Sequence, residues 1–79
     1  MNMEQYEKRF GFYREKSTEE LEKIIMDLED ELEYDKNLFE DKNTSSEQKT
    51  DAGNDIKQTN DELFYLNILM EERKNGRTR

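Results

Sequence analysis

Carboxylates are the reactive groups that this sequence offers in quantity. The chain has 21 Asp and Glu residues among its 79, and residues 27–35 read DLEDELEYD. Paired carboxylates can carry out acid–base catalysis, but they need a concave and partly dry site to hold different pKa values. A dense row of acids on a helix is more typical of a solvated face. We therefore expect a protein that is not an enzyme.

Other kinds of chemistry are limited by composition. The chain has no Cys and no His, which excludes disulfides, thiolate or imidazole metal sites and nucleophile–histidine pairs. Residues 51–62, DAGNDIKQTNDE, cluster Asp and Asn near a glycine but lack the ligand spacing of a calcium loop. We expect no cofactor and no dedicated metal site. A weak divalent-ion site on the acidic helix is the remaining alternative.

The negative charge is concentrated in one part of the chain. The net charge is -8, and residues 27–42 hold eight acids against two lysines, a net -6. Such a field attracts basic protein surfaces and repels nucleic acid and anionic lipid. The sequence therefore predicts a protein partner with a basic surface, without direct nucleic-acid binding and without a membrane. The end of the chain, KNGRTR at 74–79, is basic, and 75–79 is predicted to be a flexible tail.

The acidic segment belongs to a predicted first helix over about 18–42. Ser17 followed by Glu20 has the spacing of a capping box, so the helix should begin near Thr18. Its apolar residues recur every three or four positions, as in a heptad seam, with Asp35 in one seam place. The apolar seam residues are Leu21, Ile25, Leu28, Leu32 and Phe39.

A second helix is predicted over about 46–74. Ser45 and Gln48 repeat the capping-box spacing after a turn near Thr44. Gly53 should cause fraying or a bend, because glycine costs about 1 kcal/mol relative to alanine inside a helix. Folding back at the turn would set Phe39 opposite Lys49. Asp35 would then face the small Ala52, near the polar turn.

The predicted fold is an all-α, coiled-coil-like antiparallel helical hairpin over 17–74, preceded by a short aromatic segment over 1–16. In that segment Tyr6 and Phe10 share one face of a short helix that Gly11 can end. The aromatic segment can cap the apolar end of the hairpin, which gives a three-helix bundle. Alternatively, two hairpins can form a dimeric four-helix bundle. The two arrangements are compatible.

The end of the second helix is the surface that either arrangement must cover. After Leu63 the sequence is apolar nearly all round, which is more than a two-helix hairpin can cover. The residues predicted to take part in self-association as a homodimer are Phe64, Tyr65, Ile68 and Leu69.

Two functions follow as hypotheses for a small cytoplasmic protein of bacterial or phage type. The first is an acidic protein–protein interaction module, an inhibitor that occupies the basic nucleic-acid-binding surface of its partner as a DNA mimic. The alternative is a self-associating structural or assembly protein, or a small subunit of a complex. The predicted partner-binding residues on the acidic face are Asp27, Asp30, Glu31, Glu33, Glu40 and Asp41.

Overall fold

The computed structural model describes residues 2–76 and shows an all-α helical hairpin with a short helix before it. Helix α1 is Met3–Phe10, a 3-10 segment follows over Gly11–Glu15, and the hairpin consists of α2, Thr18–Glu40, and α3, Ser46–Gly76. The molecule measures 51 × 24 × 16 Å. The predicted fold class is confirmed.

Capping boxes begin all three helices. The Ser17 hydroxyl accepts from the Glu20 amide at 3.1 Å, and the Glu20 carboxylate accepts from the Ser17 amide at 2.9 Å. The Ser45 hydroxyl accepts from the Gln48 amide at 3.2 Å. Both predicted boxes are confirmed. A third box, formed by Asn2 at the start of α1, was not predicted.

The core lies at the open end of the hairpin, opposite the turn. The N-terminal segment packs across this end and contributes two aromatic rings to the buried cluster. The prediction that these aromatics cap the apolar end is therefore confirmed. The buried members of the cluster are Phe10, Tyr13, Leu21, Tyr65, Leu66 and Leu69.

The turn end of the hairpin differs from the prediction in three details. Helix α2 ends at Glu40, and α3 runs unbroken through Gly53, where fraying or a bend was expected. The Phe39 ring lies over Gly53, one turn further along α3 than Lys49.

At the open end of the hairpin, helix α3 includes residues 75 and 76 of the predicted tail, whereas 77–79 lie outside the described residues.

Candidate binding surfaces

The six carboxylates predicted to bind a partner are all exposed. Five are on α2 and Asp41 follows its last residue. At about 100° per residue, Asp27, Asp30 and Glu31 share one flank of the outer side of α2, and Glu33 and Glu40 share the other. None of the six makes an ion pair with another residue of 2–76. We call this set the acidic face.

Two large uncharged side chains lie within the acidic face and were missed as site residues. Met26 is 65% exposed and Tyr34 is 64% exposed. They are eight positions apart on α2 with Asp30 midway, so all three lie on its outer side. Met and Tyr are enriched at protein interfaces relative to the rest of a protein surface. Their positions outside the seam could have identified them in the sequence as exposed residues.

The residues predicted for self-association are divided by the structure. Tyr65 and Leu69 are 0% and 1% exposed, because the N-terminal segment covers them. These two therefore cannot form a surface for a second copy unless that segment detaches, which corrects the predicted set. Phe64 stays 52% exposed, with its ring centroid 5.4 Å from that of Tyr6, and Ile68 is half-buried.

Tyrosine hydroxyls attach the N-terminal segment to α3 through carboxylates. The Tyr65 hydroxyl donates to Glu7 at 2.9 Å, and the Tyr13 hydroxyl donates to Glu62 at 2.8 Å. Burial, with the hydrogen bond to Glu62 second, raises the pKa of Tyr13 to about 12. Burial and the bond to Glu7 also raise the pKa of Tyr65. Both hydroxyls thus stay protonated donors at neutral pH.

Arg14 links α1 to α3. Its guanidinium forms an ion pair with Glu7 and a second one with Glu72, the latter at 3.0 Å, and lies 6.0 Å from the centroid of the Tyr65 ring. The hydrogen bond from Arg14 lowers the pKa of Glu7, and Tyr65 adds to this effect. Glu7 and Glu72 are therefore paired within the fold, unlike the six carboxylates of the acidic face.

A cleft between α2 and α3 lies beside the acidic face. Its volume is about 340 Å³, and Asp35 and Asp55 line it from opposite helices. Burial, with the Asp55 charge second, raises the pKa of Asp35. Glu31, a member of the acidic face, also lines the cleft. The sequence placed Asp35 in the seam but did not predict its neighbour Asp55.

Comparison with protein-family models, with curated proteins and with solved structures finds no match to this chain. Across residues 2–76, no helix has the length and apolar character that crossing a bilayer requires. The same residues bring together no group of three or more carboxylates able to hold one metal ion.

Proposed function

We propose that this chain is a non-enzymatic interaction module whose acidic face binds the basic surface of another protein. On this proposal it acts as an inhibitor, because the surface it occupies is the one with which the partner binds nucleic acid. The observation that supports this function is the set of six exposed carboxylates that no basic residue within 2–76 neutralises.

The distribution of the ion pairs supports a role for these acids beyond solubility. Arg14 pairs with two glutamates at the open end of the hairpin, whereas Lys23 and Lys36 of α2 pair with none of the acids around them within 2–76. Like charges on one helix repel each other at i, i+3 and i, i+4 spacing. A basic partner would relieve that repulsion, so the repulsion between the acids in the unbound protein favours binding.

The spacing of the carboxylates is compatible with mimicry of a nucleic-acid strand. Side chains three or four positions apart on a helix lie about 5 to 6 Å from one another, comparable with successive phosphates. Asp27, Asp30 and Glu31 have this spacing on one flank of α2. Arginines and lysines that bind phosphates bind carboxylates through similar charge-assisted hydrogen bonds.

A pull-down from the native host, repeated over a series of salt concentrations, tests the proposal. We expect a partner that binds nucleic acid, is displaced by DNA or RNA and is lost steeply as salt increases. A partner insensitive to salt and to nucleic acid would overturn the proposal. So would self-association without any other partner.

Charge-reversed variants assign the binding to the acidic face. Asp30, Glu33, Glu40 and Asp41 are changed together to Lys, which should abolish capture while circular dichroism stays helical. The matched control reverses four exposed acids elsewhere and produces the same total change of charge. Equal loss of the partner in both variants would show that net charge alone matters. The control positions are Glu15, Glu22, Asp51 and Glu71.

Self-association is the second candidate function, and the exposure of Phe64 favours it. This ring is half-exposed on α3 and continues the aromatic contacts of the N-terminal segment through Tyr6. A second copy that covered Phe64 and Ile68 would bury them without opening the core. Sedimentation equilibrium of the chain and of Phe64→Ala tests this: a dimer that the substitution dissociates would favour assembly, and a monomer would exclude it.

A further inference from the structure

The cleft between α2 and α3 combines features of a binding site with features that cost stability. Asp35 occupies a seam position on α2, where its neighbours along the seam are Leu28, Leu32 and Phe39. The residue as a whole is 9% exposed. An apolar residue there would extend the core, whereas a buried carboxylate without a counter-charge is costly.

Asp35 has no partner among the described residues. Its carboxylate accepts no hydrogen bond and forms no ion pair within 2–76, and the charge that raises its pKa is the like charge of Asp55. Its oxygens are not sealed from the cleft, since no fully enclosed side-chain atom lacks a hydrogen-bond partner. An unpaired carboxylate on a mostly buried residue, with its oxygens open to a cleft, indicates a ligand that supplies donors and positive charge.

We propose that this cleft receives the guanidinium group of an arginine from the protein partner. The inference rests on the proposed function, because it assigns one arginine of the basic surface to one position on this chain. Asp35 and Asp55 would accept its N–H groups from the two helices, and Glu31 at the rim would continue into the acidic face.

The lining of the cleft fits a guanidinium better than a compact ammonium. A guanidinium presents five N–H donors in one plane and stacks on aromatic rings. Tyr34 supplies an exposed ring at the cleft, and Thr59 and Gln58 add oxygen acceptors. Glu62 also lines the cleft, but it already accepts from the Tyr13 hydroxyl and is therefore held in place.

The cleft is large enough to receive one basic side chain. At about 340 Å³ it is near the lower end of the range for pockets that bind small molecules, about 300 to 1,000 Å³. Arginine is one of the residues enriched at binding hot spots, where a side chain is anchored in a pocket of the partner. The acidic face would then attract the basic partner from a distance, and the cleft would fix the position in which the partner binds.

The test uses the full chain and a capped arginine, Nα-acetylarginine methylamide, as the probe. Amide NMR of isotope-labelled protein should show saturable shifts concentrated at residues 31–35 and 55–62. Asp35→Asn should weaken the binding about tenfold, the loss expected for a charge-assisted hydrogen-bonded pair. Glu22→Gln, an exposed acid of the same helix outside both the cleft and the acidic face, is the control and should leave it within about twofold.

Three results would overturn the assignment. They are shifts spread evenly over the acidic face, equal shifts from capped citrulline or capped lysine, and unchanged affinity in Asp35→Asn. Loss of binding in Asp35→Asn cannot be attributed to misfolding, because removing the unpaired charge of Asp35 should stabilise the fold. In the pull-down, capture of the partner by Asp35→Asn but not by the chain with the charge-reversed acidic face would overturn only the proposal that the cleft binds an arginine. A partner kept by both variants would overturn the proposed function as well.

Discussion

Replacing Phe10 with alanine should remove much of the stability of the fold. Phe10 is 4% exposed, and its ring centroid lies 5.9 Å from that of Tyr65. Buried Phe→Ala changes typically cost about 3 to 5 kcal/mol. We expect about 3 kcal/mol, at the low end of that range, because α1 has only eight residues and can move inward to reduce the cavity. A domain of this size has about 4 to 12 kcal/mol in total.

Phe12→Ala is the matched control, since it removes the same ring two positions along the chain. Phe12 is 56% exposed and contacts Tyr13, so its loss should cost about 1 kcal/mol or less. Urea unfolding followed by far-UV circular dichroism measures both variants. Equal midpoints for the two would refute the packing of α1 over Tyr65, and would restore the interpretation in which a second copy covers that end.

Two further predictions concern the turn end. The folded pKa of Asp35 is raised above its ordinary value, so ionised Asp35 destabilises the fold at neutral pH, and this cost disappears as pH falls below the raised pKa. Asp35→Asn should therefore raise the urea midpoint at pH 7, and its advantage should shrink toward pH 4; an advantage independent of pH would contradict the argument. Gly53→Ala should stabilise α3 by about 1 kcal/mol in thermal unfolding, since the new Cβ would lie 3.4 Å from the exposed Phe39 ring, which can adjust. A lower melting temperature would show that the ring cannot move.

Local features of the hairpin could be predicted from the sequence because local interactions determine them. The Ser17 and Ser45 capping boxes depend on residues three positions apart, and both helices begin where those residues predict. The seam spacing of α2 likewise identified Leu21 as core. These features do not depend on how the two helices pair with each other.

The pairing of the two helices was less predictable. Counting outward from the turn placed Phe39 opposite Lys49, but the structure places the Phe39 ring over Gly53. It also brings Asp55, which the count did not pair with Asp35, close enough to affect the pKa of Asp35. Side chains lean toward the N-terminus of their helix, so contacts between antiparallel helices are displaced from those expected for side chains perpendicular to the axis. The contact between Phe39 and Gly53 is displaced in this direction.

The face of α3 that the N-terminal segment covers could not be chosen from the sequence. Phe64, Tyr65, Ile68 and Leu69 are all apolar, and periodicity does not show which of them a third element covers. The choice depends on contacts such as that from Tyr65 to Glu7, 58 positions apart. A pairing at such a distance leaves no periodic signal in a single sequence.

The location of the core at the open end implies an order of folding. The turn joins α2 and α3 at the end where Asp35 and Gly53 lie, so the first contacts that the hairpin can close bring little apolar burial. The large gain comes only when residues near Leu21 and Leu66 meet, after most of the loop entropy has been lost. Arg14, which bonds Glu72 across 58 positions, can dock only after that. The N-terminal segment should therefore be the last part to fold and the first to exchange its amide hydrogens.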